Sequence, residues 1–205
     1  MVDTKRGVYW TVVGLALFVA LVLTFFVRSL TQPRPLYEQD LRSNGFLLER
    51  PPRSVPAPDG LSERLVGHWT LVTLGYTRCV DGCPNQLALL ATMQRNLAGT
   101  AFAQDTQVLV LGIDPEADSS AHLRGYVEAF DPRFLVHRLT SEAGREWAHE
   151  LGLWYSGGAP GSPPIARSEQ VVLLDPQLRV HGAFVPPFES GRFQLTYKGI
   201  RAAER

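Results

Sequence analysis

Two hydrophobic patterns divide this chain. Residues 8–27 form a run of 20 residues without a charged side chain. At about 1.5 Å of rise per residue, a helix of that length spans roughly 30 Å, which matches the hydrocarbon core of a bilayer. From residue 68 onward, short apolar runs alternate with segments whose apolar residues recur every three or four positions. The first pattern predicts a membrane helix, and the second predicts a domain of strands and helices.

The apolar run is predicted to be an uncleaved anchor at residues 8–28, after a short cytoplasmic segment at residues 1–7. The alternative is a cleaved signal peptide, whose apolar region is only about 7–15 residues long and precedes small residues at the cleavage site. This run instead ends in Phe-Phe-Val-Arg. Basic residues flank both ends of the run almost equally, so they do not decide the orientation.

Residues 29–66 are predicted to be a tether to the folded domain, because six prolines leave little room for long regular structure. A short hairpin around residues 45–48 within the tether is possible, and such a strand could cover the edge of a sheet. The folded domain is predicted to occupy residues 67–205.

Within this domain, strands and helices are predicted to alternate. The predicted strands are residues 69–74, 107–113, 134–139, 170–174 and 179–184, and the predicted helices are residues 85–97, 119–130, 141–151 and 189–201. Helix caps are expected at Asp118 or Ser119 and at Ser141, and a loop rich in glycine and proline is expected at residues 157–164. Strand–helix units that end in an antiparallel hairpin and a helix predict a mixed α/β sandwich of thioredoxin-like topology.

The charge balance narrows the range of partners. The chain has 20 basic and 20 acidic residues, so its formal net charge is zero. A protein that binds nucleic acid normally has a basic excess, and no nucleic-acid partner is therefore expected. A hydrophobic content of 45% is sufficient for one buried core.

The only two cysteines, Cys79 and Cys83, lie between the first predicted strand of the domain and its first helix. Their spacing predicts that both thiols lie in the first turn of that helix, on one face. Such a pair can form a disulfide or bind a soft ion such as Cu(I), but a closed zinc site needs four ligands. The helix N-terminus and Arg78 are expected to stabilise a thiolate on Cys79.

A purely structural disulfide is the alternative, although closing so short a loop contributes little entropic stabilisation. Two cysteines in an oxidising compartment favour a redox or metal role. We therefore expect the domain to face the outside, or periplasmic side, of the inner membrane.

The residues around the cysteines resemble the Sco/SenC family. The sequence Gly-Tyr-Thr-Arg-Cys-Val-Asp-Gly-Cys-Pro at residues 75–84 is similar to the family pattern Gly-(Tyr/Phe)-Thr-x-Cys-x-x-x-Cys-Pro. Weaker similarities follow at residues 113–116, 126–130, 154–156 and 171–176. The resemblance covers about residues 65–200 and the anchor. It implies a membrane-anchored, thioredoxin-like protein that delivers copper to a respiratory cytochrome oxidase, with the copper-bearing oxidase subunit as its partner.

One position departs from the family pattern. The resemblance implies that Cys79, Cys83 and a histidine just before the late strand bind copper. Counting back from Asp175, that histidine position holds Arg167, and a guanidinium does not ligate copper. Among the five histidines of the chain, His181 is the least unsuitable substitute for the third ligand.

Two functions follow from these residues. In the first, Cys79 and Cys83 bind Cu(I) and pass it to the oxidase subunit by thiolate exchange. In the second, the protein is a thiol–disulfide oxidoreductase that reduces cysteines of the oxidase or of another exported protein. Cys79 would then attack the partner and Cys83 would resolve the mixed disulfide. Arg167 weakens the first function and leaves the second intact.

Overall fold

The computed structural model describes residues 4–31, 38–58, 60–80, 82–156 and 166–204. The chain divides into two compact units, Met1–Pro35 and Leu36–Arg205. The first unit holds helix α1 (Thr4–Thr31), whose large apolar side chains are mostly exposed. Among the described residues, no helix combines the length and hydropathy that crossing a membrane requires. The anchor therefore stays a prediction.

The second unit alternates strands and helices as predicted, and the ends of the predicted elements are correct to within two residues. The predicted loop at residues 157–164 lies outside the described residues. In chain order the elements are α2 (Glu38–Ser43), β1 (Phe46–Ser54), α3 (Ser62–Leu65), β2 (Trp69–Gly75), α4 (Cys83–Leu97), β3 (Thr106–Gly112), α5 (Ser120–Glu128), β4 (Leu135–Arg138), α6 (Glu142–Glu150), β5 (Tyr155–Ser156), β6 (Ala166–Arg167), β7 (Val171–Leu174), β8 (Arg179–Phe184) and α7 (Ser190–Ala203).

A mixed sheet forms the centre of this unit. In the part of the chain that the structure describes, six strands pair in the order β1-β8-β7-β2-β3-β4. Strands β2, β3 and β4 are parallel, whereas β7 runs antiparallel to β2, and β8 and β1 continue the antiparallel half. The predicted mixed α/β sandwich is confirmed. The cysteines follow the carboxyl end of β2, a strand in the interior of the sheet.

Alternate residues of the central strands face two helical layers. Leu71 and Val108 pack in a core with residues of α4, α5 and α7, whereas Val72 and Leu109 pack in a second core with residues of α3 and α6. Because both faces are covered, these strands are buried at nearly every position and are rich in apolar residues. This explains the short apolar runs in the sequence.

The segment predicted to be a tether is partly folded into the domain. It contains α2, β1 and α3, and β1 pairs antiparallel with β8 at the edge of the sheet. The pairing is interrupted between Leu48 and Arg53, where Pro51 and Pro52 lie. Prolines are tolerated there because an edge strand has one side without a partner and a bulge needs no ladder hydrogen bond. The folded unit therefore begins before residue 67.

Candidate redox and metal site

Cys79 and Cys83 form a disulfide with their Cα atoms 5.9 Å apart. Both residues are buried, Cys79 with 7% and Cys83 with 1% of its surface exposed. Val80, between them, is 85% exposed. The loop thus presents an apolar side chain to solvent, and Cys79 is the more accessible of the two sulfur-bearing residues.

Only one cysteine belongs to the helix. α4 begins at Cys83, and Gly82 precedes it with a φ of +73°. Cys79 lies in the turn before, where its N–H donates to the carbonyl of Tyr76 at 3.3 Å. The prediction that both thiols lie in the first helical turn is therefore wrong, because the left-handed backbone of Gly82 turns the chain just before the helix starts. The partial positive charge of the helix N-terminus acts on Cys83.

Two buried carboxylates hold the turn that leads to the cysteines. Thr77 donates its backbone N–H to Asp118 Oδ2 at 2.8 Å and its hydroxyl to Asp118 Oδ1. Arg78 Nη2 donates to Asp114 Oδ2 at 2.5 Å. The guanidinium of Arg78 is thus paired with a carboxylate. It therefore stabilises a thiolate on Cys79 less than the sequence led us to expect.

The structure brings Arg167 to the disulfide loop. A Cβ atom built on Gly82 would lie 3.5 Å from Arg167 Nη2 and 3.0 Å from Glu169 Oε1. Arg167 Nη1 donates to the carbonyl of Ser168 at 3.0 Å and to Gln86 Oε1 at 3.4 Å. The guanidinium of Arg167 therefore donates to neutral oxygens and packs against Gly82, the residue that precedes Cys83.

Arg167 is partly dehydrated, and it has a tyrosine beside it. Burial lowers the pKa of Arg167, while Glu169, Tyr76 and Tyr126 act in the opposite direction. Burial also raises the pKa of Tyr126, and Arg167 offsets part of that rise. The hydroxyl of Tyr126 is buried and has no hydrogen-bond partner among the described residues. In the sequence, Tyr126 was only part of a weak family similarity, and no local pattern indicates its unpaired hydroxyl.

His181 is not brought to the cysteines. Its Nε2 lies 3.1 Å from Asp175 Oδ2, and its ring packs on Trp69 with the centroids 4.9 Å apart. Trp69 begins β2 and the cysteines follow its other end, so the strand separates them by about 20 Å. The structure contradicts His181 as a third copper ligand, because this buried imidazole is held at the far end of the sheet.

The donors at the site suit few metal ions. Within the described ranges, no group of three or more His, Cys, Asp and Glu residues is placed to hold a metal ion. After reduction, Cys79 and Cys83 would provide two soft thiolate donors, which fit Cu(I) better than harder ions. The nearby Arg167 adds a positive charge and no ligand.

The chain matches the family described as SCO1/SenC over residues 61–195. It is 33% identical over 139 residues to the mitochondrial SCO2 homolog of Bos taurus, a match that covers 68% of this chain and 48% of the bovine protein. The chain thus spans about half the length of that relative.

Solved structures share the fold. A solution structure of apo Sco1 from Thermus thermophilus superposes with a TM-score of 0.62 and 23% identity, over 76% of this chain and 95% of that one. A crystal structure of Arabidopsis thaliana ScoI with copper bound superposes with a TM-score of 0.60 and 22% identity, over 68% of this chain and 88% of that one. These likenesses bear out the thioredoxin-like α/β fold. The family match covers most of the chain, which therefore belongs to the SCO1/SenC family.

Proposed function

We propose that this protein acts through Cys79 and Cys83 in the assembly of the copper centre of a respiratory cytochrome oxidase. Its membership of the SCO1/SenC family supports this setting. The observation that carries the proposal is the disulfide itself, which joins the two cysteines directly after the carboxyl end of β2. A thiol pair that opens and closes there can reduce a partner or, when open, bind Cu(I).

Thiol–disulfide exchange is the mode that the geometry favours. The thiolate of reduced Cys79, the more exposed cysteine, attacks a disulfide of the partner and releases one partner thiol. Cys83 then attacks the mixed disulfide, which closes Cys79–Cys83 and releases the second thiol. Two electrons and two protons pass to the partner, and an exported dithiol reductant must return them. Arg167 beside the loop supports this mode, because a cation favours thiolate.

Cu(I) transfer is the second candidate. Two sulfurs four residues apart can bind Cu(I), and thiolate exchange can pass the ion on as cargo. Arg167 argues against tight binding, because it places a positive charge where the family resemblance implies a neutral imidazole. We further propose that this arginine replaces the family's histidine ligand, and its place beside Gly82 supports that alignment.

We also propose that α1 anchors the protein in the inner membrane, with the C-terminal domain on the periplasmic side. The uncharged run at residues 8–27 and the exposed apolar side chains of α1 support the anchor. A reporter that is active only after export, fused after Arg205, should be active. Activity restricted to a cytoplasmic reporter would contradict both the orientation and the function.

One pair of measurements tests the two modes. Full-length reduced protein in detergent is titrated with Cu(I) against a competing chelator, and its reduction of a disulfide-bonded peptide from an oxidase copper subunit is followed separately. We expect the unaltered protein to reduce the peptide and to bind Cu(I) weakly. The Cys79→Ser variant should no longer reduce the peptide. Tight Cu(I) binding without peptide reduction would reverse the order of the two candidates, and absence of both would reject the function.

A further inference from the structure

A cavity opens beside the disulfide loop. Its volume is about 380 Å³, at the lower end of the range of about 300–1,000 Å³ that is usual for ligand pockets. Three separate parts of the chain line it: the start of α4, the residues before β7, and the residues after β8. The lining residues are Gly82, Asn85, Gln86, Leu89, Arg167, Glu169, Pro186, Pro187 and Phe188.

The polar wall of this cavity suits a peptide main chain. Arg167 is a donor and Glu169 is an acceptor, and both approach Gly82. A free anion would meet the carboxylate of Glu169, and a free cation would meet the guanidinium of Arg167. A peptide unit is neutral and carries one donor and one acceptor, so it can satisfy both groups at once.

The other wall of the cavity is apolar. Leu89 and Phe188 are partly buried and pack against the core below them, and Pro186 and Pro187 complete the lining. Nearby in the chain, Val80 is exposed. An apolar side chain of a ligand would be removed from water here, which is the main favourable contribution to most protein–protein association.

We propose that this cavity binds an extended segment of the partner protein next to the cysteine that exchanges with Cys79. Gly82 lines the cavity and directly precedes Cys83, so a segment that lies in it also passes the disulfide. A bound apolar side chain of the segment is therefore expected to lie close in sequence to the partner's cysteine, and the probe below tests a spacing of two residues. The inference rests on the proposed thiol–disulfide exchange and adds the surface on which the partner docks.

Binding of a labelled peptide tests this docking surface. The probe is a fluorescent ten-residue peptide whose cysteine is replaced by serine, with leucine two positions after that serine, titrated into full-length protein in detergent. We expect Phe188→Ala to weaken binding at least about tenfold. A second peptide with aspartate in place of the leucine should bind the unaltered protein comparably poorly.

Leu195→Ala is the matched control, because Leu195 lies on α7 with 73% of its surface exposed and does not line the cavity. Phe188→Leu keeps an apolar side chain at this position. It should therefore stay folded and keep much of the affinity even where Phe188→Ala lowers the folded fraction. Equal affinities for both peptides, or equal losses in Phe188→Ala and Leu195→Ala, would overturn the docking surface. Peptide binding without any disulfide reduction would support the docking surface and contradict the proposed redox function alone.

Discussion

Thr77 and Asp118 are joined at two points across 41 residues of sequence. The backbone N–H of Thr77 donates to one carboxylate oxygen at 2.8 Å, and its hydroxyl donates to the other. Asp118 has only 1% of its surface exposed, so water competes little for these bonds. The contact fixes the turn before Cys79 to the loop that precedes α5.

Asp118→Asn should destabilise the protein by about 1–3 kcal/mol, because it removes the charge of a buried acceptor that serves two donors of Thr77. Thr77→Val removes only the hydroxyl bond and should cost about 1 kcal/mol. Because the two residues share one contact, the double variant should lose less stability than the sum of the single variants. Denaturant unfolding of the three variants measures this difference, and strict additivity would show that the bond between the Thr77 hydroxyl and the Asp118 carboxylate contributes nothing to stability.

Gly82→Ala should cost about 1–2 kcal/mol, because its φ of +73° is unfavourable for a residue with a Cβ. The new methyl would also displace the carboxylate of Glu169, which would lie 3.0 Å from it. Gly99→Ala is the control, since Gly99 has a φ of +78° with open space around it. Both variants should lose similar stability, but only Gly82→Ala should change the rate at which dithiothreitol reduces Cys79–Cys83. Equal rates in the two variants would argue against a tight Gly82–Glu169 contact.

Tyr126→Phe should leave stability unchanged or raise it by up to about 1 kcal/mol, because the deleted hydroxyl is buried and unpaired. Tyr197→Phe is the contrast. The hydroxyl of Tyr197 lies 2.6 Å from Thr106 Oγ1 and 2.8 Å from Arg201 Nη1, so its loss should cost about 1–3 kcal/mol. Thermal unfolding compares the two variants, and a loss in Tyr126→Phe as large as that in Tyr197→Phe would show that Tyr126 has a partner in solution.

The protein should lose stability in mild acid through His137. Burial lowers the pKa of His137, and Arg64 acts in the same direction. The unfolded chain therefore binds the proton first, so stability is full above about pH 6.5 and falls as the pH drops toward the lower pKa of the folded state. His137→Gln should flatten the fall in unfolding midpoint between about pH 7 and pH 5. His149→Gln, at an exposed position of α6, is the control for the loss of a histidine elsewhere, and an identical profile in all three proteins would rule out His137 as the cause.

Arg167→His should strengthen Cu(I) binding by at least about tenfold, or about 1.4 kcal/mol. The change removes a positive charge beside the cysteines and introduces a neutral nitrogen donor. Cu(II), which favours imidazole nitrogen, should gain at least as much. Arg95→His, in the last turn of the helix that begins at Cys83, is the control for an arginine replaced by histidine away from the cysteines. Unchanged affinity of Arg167→His would reject the alignment of Arg167 with the family's ligand.

Local patterns predicted the elements of the sheet well, because strands buried on both faces leave short runs rich in apolar and β-branched residues. The serine caps were also predictable: Ser119 accepts from the N–H of His122, and Ser141 accepts from the N–H of Gly144. Asp118 was considered as an alternative cap, yet it bonds to Thr77 instead. A carboxylate just before a helix can either cap that helix or accept from a distant donor, and only the tertiary fold decides between these two roles.

The departures from prediction come from long-range contacts and from backbone angles. The positive φ of Gly82 leaves Cys79 outside α4, and a glycine in the sequence does not reveal the sign of its φ. Only a short hairpin was predicted where β1 lies, because Pro51 and Pro52 oppose regular structure unless a neighbouring strand offers an edge. The approach of Arg167 to Gly82 spans 85 residues, and no periodicity carries that information.

The edge position of β1 has a consequence for how the domain can be isolated. β1 covers the outer side of β8, so a fragment that begins at residue 67 would leave the backbone of Arg179–Phe184 without its partner strand. An open edge of this kind can pair with the same edge of a second molecule. Such a fragment is therefore expected to self-associate, whereas one that begins at residue 36 keeps its own strand in place and should remain monodisperse.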